Sequence, residues 1–251
     1  MNIGAVIIGD ELLSGKRQDK HFNHVQTVLA ARGLELGWTI IVGDDPEQLQ
    51  RFLTFTMASN DLVFCFGGIG ATPDDRTRQT AAKVAEVALI AHPEAVAEIE
   101  NQFGEKAYPK RILMADLPEG SRIIPNPVNR VPGFSLDHHH FMPGFPEMSW
   151  PMLQWVLDKL YPELRNLAPE TEQTILITNC RESDLLDIMN QTLYRYPQLK
   201  LSSLPRLGDK PCIELSLRGK NNEVSDAMAE VKSALLQLAI AFSELKNTSK
   251  H

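Results

Sequence analysis

The stretch that decides the fold opens the chain, where residues 3–15 have the sequence Ile-Gly-Ala-Val-Ile-Ile-Gly-Asp-Glu-Leu-Leu-Ser-Gly. The apolar run Ile3–Ile8 is short and is followed at once by a glycine and two acids, which is typical of a buried parallel strand that ends in a loop. Two similar runs, Trp38–Val42 and Leu62–Phe66, come later, and each is followed by glycine. The sequence therefore predicts three buried strands near its start.

Helical patterns separate these strands. Phe22, Val25 and Leu29 have helical spacing, and Asp45-Pro46 has the residue types of an N-cap followed by the first helical position. Further helices are predicted to begin at Thr72-Pro73 and after Pro93. Because strands and helices alternate, we expect an α/β fold with a mostly parallel sheet and helices on both faces.

The chain divides into two predicted domains, residues 1–165 and 172–246, joined by a proline-containing linker over 161–170. The first domain ends with a predicted hairpin over residues 135–142 and a helix over 148–160. The second domain has a strand, helix, strand, strand, helix order (β-α-β-β-α), which indicates a small α+β unit. The tail, residues 246–251, is expected to be frayed.

Composition limits the partners. The 251 residues carry 25 Lys and Arg against 32 Asp and Glu, a formal net charge of −7. A net acidic chain is a poor non-specific ligand for nucleic acids or anionic membranes. The three cysteines are widely spaced, and no apolar run approaches the roughly 18 residues that span a bilayer. We therefore expect a cytoplasmic protein without nucleic-acid or membrane partners.

Acidic residues follow two of the predicted strands. Asp10 and Glu11 come after Gly9, and Asp44 comes after Gly43. In an open α/β sheet, ligands bind outside the carboxyl ends of the strands, so these acids are expected at one sheet edge. One or two carboxylates can hold a divalent cation. The alternative, a pair of turns with solvated acids, is equally compatible with the composition.

The third strand leads into a glycine-rich segment. Gly67, Gly68 and Gly70 precede Thr72, and such a segment at a helix N-terminus offers N–H groups to a phosphate. A purely structural alternative exists, because Thr72 as N-cap and Asp75 three residues later form a capping-box pattern. Asp74 would then be a first-turn partner of the helix dipole. Both interpretations remain open at this point.

Other polar residues are assigned to structure. Three consecutive histidines, residues 138–140, cannot converge on one ion if they lie in a strand, and a hairpin tip is their expected position. Cys65 has apolar neighbours within the third strand and is expected in the core.

Five motifs follow one another along the chain: Ile8-Gly9-Asp10-Glu11-Leu12-Leu13 before Gly15, Val42-Gly43-Asp44-Asp45, Gly67-Gly68-Ile69-Gly70 with Thr72, Asp74, Asp75 and Thr77, Pro125-Asn126-Pro127-Val128 with Pro132-Gly133-Phe134, and Met142-Pro143-Gly144 with Pro146-Glu147-Met148. Taken together and in this order, they resemble the N-terminal domain of the CinA proteins (competence/damage-inducible protein A), which belongs to the MoaB/Mog molybdopterin-binding superfamily. The resemblance covers residues 1 to about 165. The second domain more weakly resembles the small KH-like domain that follows in CinA, without its Gly-x-x-Gly loop, so no RNA binding is expected.

The resemblance implies a three-layer α/β/α fold and a divalent-metal-dependent pyrophosphatase acting on ADP-ribose or FAD. It implies that Asp75 is the key acid, that Asp10 and Glu11 form the opposing wall, and that Asp44 is a third carboxylate. From the acids at the strand ends we expect Asp75, Asp10 and Asp44 to be catalytic and a Mg, Mn or Co ion to lie on Asp10 and Asp75. The implied ligand-binding residues are Gly9, Glu11, Gly67, Gly68, Gly70, Thr72, Asp74, Thr77, Pro143 and Gly144. Two alternatives are a non-catalytic module that binds molybdopterin or a nucleotide, and an adenylyltransferase acting on molybdopterin.

The sequence also departs from the CinA pattern. Asp19-Lys20-His21 stands where Asn-Thr-Asn is usual, Asn129 replaces a usual glycine, and the last motif is one residue shorter between Pro146 and Met148. The C-terminal amidase domain of CinA is not found in the sequence, so deamidation is not expected. Relatives of both kinds form oligomers, and a dimer or trimer is expected here.

Overall fold

A computed structural model describes residues 2–165, 170–206 and 211–245. The chain forms two compact units, residues 1–165 and 166–251. Residues 166–169 of the predicted linker, residue 246 at the predicted end of the second domain and the rest of the predicted frayed tail lie outside the described residues.

The first unit is built on a six-stranded sheet with the order β2-β1-β3-β8-β7-β6. Its strands, with the two that pair separately, are β1 (Ile3–Ile8), β2 (Trp38–Val42), β3 (Leu62–Phe66), β4 (Leu89–Ala91), β5 (Asp116–Pro118), β6 (Arg122–Ile124), β7 (Gly133–Leu136) and β8 (His139–Met142). The helices are α1 (Asp10–Leu13), α2 (His21–Ala30), α3 (Pro46–Met57), α4 (Thr77–Val84), α5 (Pro93–Phe103) and α6 (Pro146–Lys159). Two 3₁₀ helices, Gly104–Ala107 and Arg111–Ala115, follow α5.

The sheet confirms the predicted α/β class. Strands β2, β1, β3 and β8 are parallel to one another, and β7 and β6 extend the sheet in antiparallel fashion. One apolar core, which includes Val6, Leu49 and Phe134, covers one face. A second core, which includes Ile7, Leu29 and Val156, covers the other. The alternation of small apolar runs and amphipathic helices thus produces three layers, because each sheet face buries a separate set of helices.

The start of α3 confirms the predicted N-cap. The Asp45 carboxylate accepts a hydrogen bond of 2.9 Å from the Gln48 N–H, and Pro46 occupies the first helical position. Leu49 and Leu53 on this helix are buried, whereas Phe52 is exposed.

The predicted helix start at Thr72 is wrong. Residues 72–75 form a turn, and α4 begins at Thr77. The helix cannot begin earlier because its first N–H, that of Thr77, is directed back to the carbonyl oxygen of Gly68 at 2.9 Å. The glycine-rich segment is therefore an extended loop rather than the first turn of a helix.

The histidine positions also correct the prediction. His138 lies in the turn between β7 and β8, whereas His139 and His140 are buried within β8. Cys65 is buried in β3, as predicted. Strands β4 and β5, three residues each, pair with each other and were missed because such short runs give no periodic signal.

The second unit has a four-stranded antiparallel sheet with the order β10-β11-β9-β12. Its elements are β9 (Thr171–Thr178), a 3₁₀ helix (Glu182–Leu185), α7 (Leu186–Arg195), β10 (Lys200–Arg206), β11 (Cys212–Gly219), α8 (Asn221–Gln237) and β12 (Phe242–Glu244). The predicted strand, helix, strand, strand, helix order is present, and β12 adds a short edge strand.

No helix within residues 2–165, 170–206 and 211–245 has the length and apolarity that crossing a membrane would require.

Candidate functional site

The segments that follow β1, β2 and β3 line a cleft of about 470 Å³, here called the strand-end cleft. Parallel strands that lie side by side end at the same edge, so residues far apart in sequence meet there. The predicted residues that line the cleft are Gly9, Glu11, Asp44, Gly67, Gly68, Gly70, Thr72, Asp74, Asp75, Pro143 and Gly144. Asp10 and Thr77 are the two predicted site residues that do not contribute to its lining.

Asp10 and Asp44 lock the ends of β1 and β2 together. The Asp10 N–H donates to Asp44 Oδ2 at 2.9 Å, and the Asp44 N–H donates to Asp10 Oδ1 at 3.1 Å. The remaining oxygens, Asp10 Oδ2 and Asp44 Oδ1, accept no hydrogen bond within the described chain. Each carboxylate therefore has a structural contact and one free ligand atom.

The negative charge at this edge is concentrated. Burial raises the pKa of Asp44, and the neighbouring carboxylates of Asp10, Glu11 and Asp74 raise it further. Because these carboxylates repel one another, a cation or a polar ligand that binds at this edge would lower their electrostatic energy.

The glycine-rich loop forms the cleft wall next to these acids. Gly68 has a φ of +67°, and a Cβ there would lie 2.2 Å from the Thr77 hydroxyl. At Gly70 a Cβ would lie 2.4 Å from Asp75 Oδ2. Both positions require glycine, because any side chain would collide with the polar atoms that hold the loop.

The loop presents unused backbone donors. Within the described chain, the N–H groups of the four consecutive residues Gly68, Ile69, Gly70 and Ala71 donate no hydrogen bond. Consecutive N–H groups in a loop with left-handed residues form a concave site for anions. The prediction placed these donors at a helix N-terminus, whereas the structure places them in the loop before the turn.

Asp75 fixes the end of this loop. Its Oδ2 accepts hydrogen bonds from the Thr72 N–H at 2.9 Å and from the Thr72 hydroxyl at 2.6 Å. The Asp75 N–H bonds to the Thr72 carbonyl oxygen instead of the hydroxyl, so only half of the predicted capping box forms. Asp75 Oδ1 accepts no hydrogen bond within the described chain, and Asp75 is one of the residues that line the cleft.

Two buried residues hold the loop from behind. Thr77, predicted as a ligand contact, is fully buried and donates its hydroxyl to the Gly67 carbonyl oxygen at 3.0 Å. Arg78, which the sequence did not single out, donates to the carbonyl oxygens of Gly70 at 2.7 Å, Leu113 at 2.6 Å and Asp116 at 2.8 Å. Burial lowers the pKa of Arg78, and Asp116 and Asp75 oppose that shift.

A second part of the cleft lining comes from the loop between β6 and β7. Asn129 Oδ1 accepts hydrogen bonds from the Val131 N–H at 3.0 Å and from Asn126 Nδ2 at 2.8 Å. Apolar side chains complete the lining, namely Ile8, Ile69, Phe103, Met114, Val131, Phe145 and Met148. No role was predicted for Asn126 or Asn129, because no local pattern reveals which loops line a common cleft.

The described residues contain no group of three His, Cys, Asp or Glu side chains arranged to hold a metal ion. The metal ion predicted on Asp10 and Asp75 thus stays a prediction. Mg²⁺ commonly uses one or two carboxylates and completes its shell with water and substrate phosphates, and the free carboxylate oxygens at this edge fit that type of site.

Residues 4–166 match the family model described as "Probable molybdopterin binding domain". The chain belongs to this molybdopterin-binding domain family. A crystal structure of CinA from Thermoplasma acidophilum has 27% sequence identity and a TM-score of 0.57, and the match covers 64% of this chain and 99% of that one. The residues that match the family model include all those that line the strand-end cleft.

Relatives differ in length from this chain. A CinA-like protein of Desulforapulum autotrophicum is 31% identical over 213 residues, which are 80% of this chain and 50% of the relative. A protein of Caldivirga maquilingensis is 26% identical over 251 residues, which are 95% of each chain. The chain thus spans about half the length of the CinA-like relative and nearly all of the Caldivirga protein.

Proposed function

We propose that the protein is a divalent-metal-dependent pyrophosphatase that hydrolyses an ADP-containing dinucleotide, ADP-ribose or FAD. The observation that supports this most directly is the pairing of four free N–H groups, on Gly68–Ala71, with carboxylates at the same edge of the sheet. Donors of this kind bind a phosphate and stabilise the charge that develops on its oxygens. Carboxylates beside these N–H groups would repel an anion that binds alone, but they would attract a cation that binds together with it.

The chain's own residues supply three elements of this chemistry. The Gly68–Ala71 N–H groups would bind one phosphate and orient it. Asp75, whose Oδ2 is fixed by Thr72, would accept the proton of the attacking water at Oδ1. Asp10 and Asp44 would present their free oxygens to the cation.

The cation would neutralise phosphate charge and lower the pKa of a bound water. Burial and then the nearby carboxylates raise the pKa of Asp44, against the Asp10 N–H, and a cation beside Asp44 would offset the repulsion from those carboxylates. Of the two predicted metal ligands, Asp10 would keep that role beside Asp44, whereas the one free oxygen of Asp75 would serve the attacking water. Mg, Mn and Co are the candidate ions.

The test is incubation of the purified protein with ADP-ribose, FAD, NAD and ATP, each with Mg²⁺, Mn²⁺, Co²⁺ or EDTA, followed by chromatography. We expect metal-dependent release of AMP from ADP-ribose or FAD. Asp75→Asn keeps an acceptor for Thr72 but removes the base, so it should abolish turnover and leave the melting temperature nearly unchanged. Asp137→Asn, in the exposed β7–β8 turn, is the control that keeps wild-type turnover.

Other outcomes would contradict the proposal. A thermal shift with AMP or a pterin in EDTA, without any product, would favour a non-catalytic binding module. Transfer of AMP from ATP to molybdopterin would favour an adenylyltransferase. Full activity of Asp75→Asn would remove Asp75 from the mechanism. The expected dimer or trimer is checked by light scattering, and a monomer mass would contradict it.

A further inference from the structure

A second cleft of about 510 Å³ adjoins the strand-end cleft. It lies between the segment after α1 and the start of α6, and we call it the adjoining cleft. The two clefts share five lining residues, which are Ile8, Glu11, Arg17, Gly144 and Phe145. Because five residues line both, the two clefts are direct neighbours at this edge of the sheet.

Arg17 stands at this junction. Among the residues that the structure describes, it is the only Lys or Arg that lines the strand-end cleft, which also has four carboxylates, those of Glu11, Asp44, Asp74 and Asp75. No salt bridge within residues 2–165, 170–206 and 211–245 involves Arg17, and its side chain is exposed. Because Arg17 forms no ion pair with these acids, its guanidinium group is available to bind a ligand. Guanidinium groups bind phosphate oxygens in a bidentate manner.

The adjoining cleft offers polar groups of a different kind. His21 lies in its wall, 95% buried, with its ring stacked on Phe66 at 4.4 Å between centroids. His21 Nε2 lies 3.1 Å from the Gly144 carbonyl oxygen and must be the donor, since a carbonyl oxygen only accepts. In the neutral ring Nδ1 is then an acceptor, and it is buried without a partner in the described chain.

We propose that the two clefts form one site for a two-part ligand in which Arg17 binds the second of two linked phosphates. The glycine-rich loop takes the first phosphate, and the group beyond the second phosphate enters the adjoining cleft. That group would lie against His21, which forms part of the wall of the adjoining cleft. This inference rests on the proposed function and adds Arg17 and the adjoining cleft to the groups that would bind its substrate.

The experiment measures binding by calorimetry in EDTA, where no metal-dependent turnover occurs, with ADP-ribose and AMP as probes. Arg17→Ala should weaken ADP-ribose binding about tenfold or more, the usual effect of losing a charged hydrogen bond, and should leave AMP binding nearly unchanged. Gln18→Trp, at an exposed position that lines only the adjoining cleft, should have the same selective effect by blocking it. Lys16→Ala, a neighbouring cation that lines neither cleft, is the matched control.

Binding and hydrolysis can fail separately. A selective loss of ADP-ribose binding in Arg17→Ala, without hydrolysis by the wild type, would support the two-part site and contradict the pyrophosphatase. Hydrolysis by the wild type, with ADP-ribose binding unchanged in Arg17→Ala, would support the pyrophosphatase and contradict the two-part site. Equal losses for ADP-ribose and AMP would overturn the assignment of the second phosphate to Arg17. Failure of the wild type to bind either probe would overturn the two-part site.

Discussion

Arg78 is the residue on which the shape of the glycine-rich loop depends most. It is buried, and its guanidinium spans three carbonyl oxygens, those of Gly70, Leu113 and Asp116. The loop and the segment after α5 are therefore joined by one side chain. A buried cation is retained only where several acceptors surround it, since its burial is otherwise costly.

We predict that Arg78→Met destabilises the first unit by about 3 kcal/mol, because three buried carbonyl groups lose their donor. Urea unfolding followed by tryptophan fluorescence measures this directly, since all three tryptophans, Trp38, Trp150 and Trp155, lie in the first unit. Arg51→Met, at an exposed position on α3, should leave the midpoint nearly unchanged. Equal unfolding midpoints for the two variants would contradict this role of Arg78.

The departure at Asp19-Lys20-His21 has a structural explanation for two of its three residues. Asp19 caps the start of α2, because its two carboxylate oxygens accept hydrogen bonds of 2.9 Å from the His21 and Phe22 N–H groups. His21 then packs on Phe66. Lys20 is exposed and lines the adjoining cleft. The cap residue type was predictable from sequence, but the burial of His21 against a strand 45 residues away was not.

At the scale of elements, β8 is a strand with two buried histidines on opposite sides. His139 Nε2 is hydrogen-bonded to Thr56 Oγ1 at 3.0 Å, and His140 is hydrogen-bonded to Ser135 Oγ at 2.8 Å and to the Tyr161 hydroxyl at 3.0 Å. Burial lowers the pKa of His139 to about 4 and that of His140 to about 3. Both rings are therefore neutral in the folded chain near neutral pH.

These histidines predict a loss of stability in mild acid. A histidine in the unfolded chain has a pKa of about 6.5, so below that pH it binds a proton that the same histidine does not bind in the folded chain. The free energy of unfolding therefore falls as pH drops from 6.5 towards 4. Each histidine contributes up to about 1.4 kcal/mol per pH unit. Urea midpoints between pH 8 and pH 5 test this.

The controls for the pH experiment come from the same segment. His139→Gln and His140→Gln should each flatten the decline in the midpoint below pH 6.5. His138→Gln should not, because His138 is exposed in the turn. A decline that both buried-site variants leave unchanged would assign the acid sensitivity to other groups.

For the molecule as a whole, the separation into two units carries a prediction about independent folding. Residues 1–165 contain both cores of the large sheet, and the second unit has its own core, which includes Ile177, Leu215 and Val231. A fragment of residues 1–165 should therefore unfold cooperatively, with a tryptophan-fluorescence midpoint close to that of the full chain. A fragment without a cooperative transition would show that the first unit requires the second.

The sequence by itself determined the α/β class, the bounds of β1, β2 and β3, the cap of α3 and the meeting of acids at one sheet edge. These features follow from local periodicity, from residue types with fixed backbone preferences, and from the geometry of parallel strands. Gly67–Gly70 and Asp75 were identifiable for the same reason, since they form one short contiguous motif.

Tertiary structure alone decided where α4 begins, that Thr77 lies behind the loop, that Arg78 holds it, and that Arg17 joins two clefts. Each of these outcomes depends on contacts between segments far apart in the chain, such as Arg78 with Leu113 and Asp116, 35 and 38 residues away. A helix start or a side-chain role is set by whichever available partner lowers the free energy most, and local sequence does not contain that partner.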